Sequence, residues 1–249
     1  MSDYISEIKR FPKISIITPS FNSAKFIDDC IQSVVNQRYP SYEHVIVDGG
    51  STDNTLEILK KYPHLKWMSE KDEGVYDAMN KGIKLSTGQI IGILNSDDYY
   101  ESNIFETVAN VFEEHRDVGV LHGNMKVLYN NNQFVVSRSK EYQKYYCMWV
   151  KHATCFIRKD VYDTFGMYDI RFKIQADFDL MLRYRKRGVK FFRLNRVISN
   201  FRVGGLSTKQ WSLRESVCVR KRNGYFVVWA VISAIVTRTL FGIKLIIHK

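Results

Sequence analysis

The feature that most constrains this chain is an alternation in its first hundred residues between short β-branched runs and stripes of apolar residues at helical spacing. Residues 13–18 (KISIIT), 44–47, 65–68 and 89–94 (QIIGIL) read as extended, buried segments. Between the first two, Phe26, Ile27, Cys30, Ile31, Val34 and Val35 fall on one helical face. Ser51 or Thr52 can cap a second helix, whose Leu56, Ile58 and Leu59 face inward, and residues 74–85 form a third. Strands separated by helices of this length imply right-handed βαβ units and a mostly parallel sheet. After Asp98 the pattern changes. Residues 104–115 read as a helix, and 118–128 and 134–137 flank an Asn-rich hairpin turn. Further short strands are expected at 153–157, 189–194 and 197–201, with a helix over 178–187. The expected fold class is α/β, a mixed sheet flanked by helices over residues 1–208, followed by a helical appendage over 209–249.

In open α/β sheets, ligands bind beyond the carboxyl ends of the strands. Three such ends carry polar groups: Pro19-Ser20-Phe21-Asn22, Asp48-Gly49-Gly50-Ser51 and Asn95-Ser96-Asp97-Asp98. Taken singly, each is also a turn or a helix cap. Three in one βαβαβ array point to a ligand site, where carboxylates can accept hydrogen bonds from a base and a ribose. Asp97 and Asp98 are adjacent carboxylates, which repel unless a cation or donors intervene. A hard ion, Mg²⁺ or Mn²⁺, is held by one or two carboxylates together with substrate phosphates.

The stretches ISIITPSFN (14–22), VIVDGGSTDNT (45–55), EGVYDAMNKGI (73–83), TGQIIGILNSDD (87–98) and DFDLMLR from Asp177 resemble, in this order and spacing, the family 2 glycosyltransferases of GT-A fold over roughly residues 13–208. The resemblance implies a nucleotide-sugar donor, UDP in the first instance, with Pro19, Ser20, Phe21 and Asp48 around the base. It implies Asp77 and Asn80 in the donor pocket, Asp97 near the ribose, and Asp98 on a divalent metal. Asp177 falls at the family's catalytic base and His152 on the acceptor side. Many relatives carry Glu-Asp where this chain has Ala176-Asp177, and the Q-x-x-R-W signature of processive relatives is absent. A single-addition, inverting enzyme of the surface-polysaccharide type is therefore expected.

Charge and hydropathy add a partner. Residues 183–249 hold sixteen Lys/Arg against one acid, Glu215, a balance of +15, and with +11 overall the first 182 residues sum to −4. Within that basic third, residues 225–247 (YFVVWAVISAIVTRTLFGIKLII) contain an apolar run of only 12 residues, short of the ~20 that span a bilayer. An interfacial helix on an anionic membrane surface is expected. Arg220, Lys221 and Arg222 lie ahead of it, and Ser233, Thr237, Lys244 and His248 share its polar side. A helix packed on protein is the alternative. The N-terminus has no apolar signal-peptide core, and the four cysteines (Cys30, Cys147, Cys155, Cys218) show no metal or disulfide spacing. The chain is therefore expected in the cytoplasm, peripheral on the cytoplasmic face of the inner membrane. A lipid-linked or glycan acceptor follows, with no nucleic acid expected. The competing readings are a nucleotidyltransferase on a related sheet and a non-enzymatic protein that binds nucleic acid or lipid.

Overall fold

The apolar runs of the first hundred residues lie side by side. In the computed structural model, which describes residues 11–129, 133–139, 148–204, 212–226 and 228–236, they become β1 (Ile14–Ser20), β2 (Tyr42–Asp48), β3 (Lys66–Ser69) and β4 (Ile90–Ile93). All four are parallel in the order β3-β2-β1-β4, so their carboxyl ends form one edge. Every residue of β1 and of β4 is buried, as a sheet covered on both faces requires. The connecting helices are α1 (Ile27–Val35), α2 (Thr55–Leu59) and α3 (Val75–Leu85). Ile27, Cys30, Ile31 and Val34 are the buried stripe of α1. Gly82 lets α3 lie directly on β1: a Cβ there would stand 2.2 Å from Ile17 Cγ2. The cap position of α2 is Asn54, not the expected Ser51 or Thr52, and Asp53 ahead of it accepts from the Thr55 amide and hydroxyl.

The second half extends the same sheet with β5 (Tyr99–Tyr100), β6 (Val118–Leu128), β7 (Phe134–Ser137), β8 (Phe156–Arg158) and β9 (Lys190–Arg202), accompanied by α4 (Ile104–Glu114), α5 (Lys159–Phe165) and α6 (Ala176–Lys186). The order continues β4-β8-β6-β9-β5, with β7 paired on β6. β8 runs antiparallel to β4, so the start of β8 meets the end of β4. Two expectations are corrected here. The strand expected from residue 153 begins as a 3₁₀ turn, His152–Thr154, because the Thr154 hydroxyl bonds back to the Lys151 carbonyl at 2.7 Å. The two strands expected at 189–194 and 197–201 are one strand, β9. Its register against β6 slips between His122 and Met125, so Asn195-Arg196 makes an irregularity where a turn was expected.

The C-terminal segment divides in two. α7 (Leu213–Arg222; the eighth helix, α8, covers residues 228–236) packs on α6, and its Val219 joins the core that holds Phe178, Leu182 and Tyr184. Arg220, expected to face lipid, is instead buried, with its guanidinium 4.9 Å from the Phe178 ring and donating to the Ser216 carbonyl. In α8 the small residues Ala230, Ser233 and Ala234 are buried, whereas Val228, Trp229, Ile232 and Ile235 are exposed, Trp229 by 57%. Ser233 thus lies on the inward face, not on an outward polar one. Thr237, Lys244 and His248 lie outside the described residues. No helix among the described residues is long and apolar enough to cross a membrane. Part of the basic charge is paired with acids: Arg183 with Asp179, Arg202 with Asp29, Arg222 with Asp169 and Lys190 with Asp117. Cys30, Cys155 and Cys218 are free thiols.

Candidate active site

At the end of β1 the chain leaves the sheet with Ser20 buried and Phe21 62% exposed. The Ser20 hydroxyl is buried without a hydrogen-bond partner among the described residues. Asn22, at positive φ, ties this corner to the next: its amide donates to Ser51 Oγ at 2.7 Å and its Oδ1 accepts from the Thr52 amide at 2.9 Å. Asp48 ends β2 fully buried. Its Oδ2 accepts from the amides of Gly50 and Ser51 and the hydroxyl of Ser69, and its Oδ1 from the Ser51 hydroxyl. Three of these donors fall on Oδ2 and one on Oδ1, so Oδ2 is fully engaged by the protein while Oδ1 keeps an acceptor position. Asp48, expected as an acceptor for the base, also shapes the 49–51 turn. A Cβ at Gly49 would lie 2.6 Å from Asp72 Oδ2, so the Asp72 side chain would have to shift.

The carboxylate pair after β4 is held by the far end of β9. The Arg202 amide donates to Asp98 Oδ1 at 3.0 Å, and Asn95 Nδ2 donates to Asp98 Oδ2 at 3.2 Å. The Arg202 guanidinium lies between the rings of Phe26 and Tyr99 and donates to the Asp97 carbonyl and to Asp29. Asp98 is completely buried, and burial, followed by the charge of Asp97, pushes its carboxyl up to about 8. Asp97 is only partly buried, and no other residue donates a hydrogen bond to its carboxylate among the described residues. Burial also raises its pKa. Asp98, the expected metal ligand, is engaged inside the protein by two donors, and Asp97, expected near the ribose, has the more open carboxylate. Two carboxylates with raised proton affinity and no basic side chain bonded to them suit a hard cation. Among the described residues no cluster of three or more metal-ligating side chains accompanies them, so such an ion would draw its remaining ligands from phosphate and water, as Mg²⁺ and Mn²⁺ commonly do.

Asp177 lies in the first turn of α6, across from the start of α3. Its Oδ1 accepts from the Phe178 amide at 2.8 Å and from the Tyr76 hydroxyl at 3.3 Å. The single Tyr76 proton is shared with the Ile174 carbonyl, which is the nearer acceptor at 2.8 Å. The Tyr76 ring stacks on Tyr168 at 5.5 Å, and Tyr168 Oη is 2.7 Å from His152 Nε2. His152, Tyr168 and Cys155 all feel the charge of Asp177. His152 is pushed down by burial, with Asp177 acting in the opposite direction. The two tyrosine hydroxyls are held well above their usual range, chiefly by burial, and so act as neutral donors. Because His152 precedes β8 and β8 opposes β4, the Asp177 cluster and the Asp97 pair share the carboxyl edge of the sheet.

Asp77 and Asn80, expected in the donor pocket, are both held by protein groups. Asp77 accepts from the Glu73 amide and pairs with Lys81 at 3.2 Å. Asn80 clamps the backbone of Tyr168 twice, donating to its carbonyl at 2.9 Å and accepting from its amide at 3.0 Å. Asn80→Ala leaves both backbone groups without that partner, and an expected loss of about 2–4 kcal/mol in unfolding free energy is measurable by urea titration. An unchanged midpoint would show that the clamp is dispensable.

Residues 15–172 match the sequence pattern of Glycosyl transferase family 2. The chain is a family 2 glycosyltransferase. A PGL/p-HBAD biosynthesis glycosyltransferase of Mycobacterium tuberculosis is 33% identical over 208 residues, 79% of each chain. A hyaluronan synthase of Pasteurella multocida is 31% identical over 237 residues, which are 90% of this chain and 23% of that one. Among solved structures, residues 1–349 of S. aureus TarS in complex with UDP-GlcNAc match with a TM-score of 0.72 at 21% identity, covering 88% of this chain and 69% of that one. The sheet is thus the GT-A fold that the motifs implied, and family membership removes the nucleotidyltransferase and non-enzymatic readings. In this glycosyltransferase, sequence reasoning missed Tyr76 and Arg202. Tyr76 precedes Asp77 and sits one helical turn before Asn80, a signal available in the sequence. Arg202 had none, because its partner carboxylates lie over a hundred residues away.

Proposed function

We propose that this enzyme transfers a single sugar from a UDP-linked donor to a hydroxyl of a glycan or lipid-linked acceptor, inverting the anomeric centre, in polysaccharide or glycolipid biosynthesis. The carrying observation is that Asp97 and Asp177 stand on one edge of the sheet, the first open to a cation and the second oriented by Tyr76. The names of the relatives, which include glycolipid and polysaccharide enzymes, and the UDP-GlcNAc complex of TarS support the donor and product classes.

The donor base and ribose lie along the ends of β1 and β2, where Phe21 offers an exposed ring and Ser20 an unsatisfied hydroxyl. Asp97 holds Mg²⁺ or Mn²⁺, which when bound neutralises charge on the departing diphosphate. Asp177 accepts the acceptor's hydroxyl proton as that oxygen bonds to the anomeric carbon. The Phe178 amide, with the Tyr76 hydroxyl 3.3 Å away, engages Asp177 Oδ1 and leaves Oδ2 for the proton. General-base assistance of this kind contributes roughly 10²–10⁴-fold, and attack opposite the leaving group inverts the centre. His152, bonded to Tyr168, lines the acceptor side. A screen of nucleotide sugars that reads released nucleotide, with EDTA as control, tests this. Turnover that is insensitive to EDTA would remove the cation from the scheme.

The acceptor side meets a membrane surface in this reading. A groove of about 650 Å³ lined by Leu182, Arg185, Lys186, Tyr225, Phe226 and Trp229 lies between the end of α6 and α8, roughly 12 Å along α6 from Asp177. Beside it α8 exposes Trp229, Ile232 and Ile235, an apolar face next to cations, which suits anionic headgroups on the cytoplasmic side of the plasma membrane. The double variant Ile232→Glu/Ile235→Glu removes about 3 kcal/mol of apolar burial and is expected to lower co-sedimentation with phosphatidylglycerol vesicles about a hundredfold while soluble donor turnover persists. Equal sedimentation of variant and wild type would refute the docking face.

A further inference from the structure

The sequence Ser212-Leu213-Arg214-Glu215 has the form of a capping box, in which the glutamate at the third helical position ordinarily turns back to the amide of its own cap residue. Only half of that motif is formed in α7. The Ser212 hydroxyl accepts from the Glu215 amide at 3.2 Å, but the Glu215 carboxylate reaches away to the loop that enters α6. Its Oε1 accepts from the Lys173 amide at 3.0 Å, and its Oε2 from the amides of Ile174 at 3.0 Å and Gln175 at 3.2 Å. That loop ends two residues before Asp177. Gln175, the cap residue of α6, provides no side-chain cap of its own.

The same loop is gripped from the opposite side by α3 and its approach. Tyr76 donates to the Ile174 carbonyl at 2.8 Å, and Lys173 Nζ donates to the Glu73 carbonyl at 2.9 Å. α7 adds two further contacts on the first turn of α6, with Arg220 over Phe178 at 4.9 Å and Asn223 Nδ2 donating to Asp179 Oδ1 at 3.0 Å. Asp177 sits between these anchor points.

We propose that Glu215 is a positioning residue for sugar transfer: it fixes the 173–175 loop so that Asp177 meets the acceptor hydroxyl, and it makes α7 a working part of the catalytic centre. The inference rests on Asp177 being the base. A carboxylate accepting three amides defines the loop's height against Tyr76, and a displacement of about 1 Å at a reacting group costs on the order of a hundredfold in rate. Donor binding, which belongs to the ends of β1, β2 and β4, lies outside its reach.

The test compares Glu215→Ala and Glu215→Gln with wild type, alone and combined with Asp177→Asn, using full-length protein. UDP affinity is read by calorimetry and transfer by kcat at saturating donor and acceptor. Glu215→Ala is expected to lower kcat about ten- to a hundredfold with UDP affinity within twofold. Glu215→Gln, which keeps one acceptor oxygen and the side-chain volume, is expected to recover part of that loss. In the Asp177→Asn background the same substitution is expected to change little, because groups acting as a unit are not additive. An unchanged kcat, or a full multiplicative loss in the Asp177→Asn background, overturns the proposal. If Glu215→Ala does not fold, the glutamine variant carries the same comparison. An Asp177→Asn enzyme with wild-type turnover overturns the base assignment itself, which separates that failure from failure of the Glu215 role.

Discussion

Asp177→Asn is expected to bind UDP and the donor as wild type does while its kcat for sugar transfer falls about 10²–10⁴-fold. The amide keeps an oxygen for the Phe178 amide and the Tyr76 hydroxyl, so local geometry is preserved, but it cannot take a proton from the acceptor. The loss should therefore appear in kcat and kcat/KM together, with donor KM nearly constant, which marks an interaction made only in the transition state. Calorimetry with UDP alongside steady-state transfer separates the two. Near wild-type transfer would move the base elsewhere.

The second large effect is expected at Asp97. Asp97→Asn removes the open carboxylate next to the buried one, and loss of metal assistance of several kcal/mol corresponds to roughly two to three orders of magnitude in kcat/KM. UDP titrations with and without Mn²⁺ should show that the metal-dependent gain in affinity has disappeared. Asp98→Asn is the informative contrast. An asparagine there can still accept from the Arg202 amide, and the neighbouring Asn95 amide can turn to match it, so a much smaller effect is expected. If Asp98→Asn abolishes the Mn²⁺ response and Asp97→Asn does not, the assignment of the two carboxylates is the wrong way round.

The parallel half of the sheet was legible because buried strands and amphipathic helices have different periods, and residues 13–98 keep those periods without interruption. The motif stretches then located the edge where ligands bind. Roles within that edge were less legible, for a physical reason. A carboxylate is an equally good acceptor for a ligand and for the protein's own backbone, and the choice depends on donors distant in the chain. Asp48 is occupied by Ser69 and its own turn, Asn80 by Tyr168, and Asp98 by Arg202. Ser69, Tyr168 and Arg202 are all distant in sequence from the residues they hold. The break expected in β9 had a similar origin. Asn195-Arg196 reads as a turn locally, but pairing with β6 on both sides carries the strand through. In α8, spacing identified an amphipathic helix, yet which face turns inward was decided by the small side chains that allow close approach to the body.

The loop ahead of Asp177 is held almost wholly through main-chain groups: three amides to Glu215 and one carbonyl to Tyr76. Apart from proline, any residue supplies those groups. The side chains of residues 173–175 thus carry less of the placement of the base than their backbone does, the Lys173 bond to the Glu73 carbonyl apart. Relatives built on this arrangement can exchange those side chains to admit a new alcohol while the reaction geometry stays put, which makes this loop a natural place to redesign what the enzyme glycosylates.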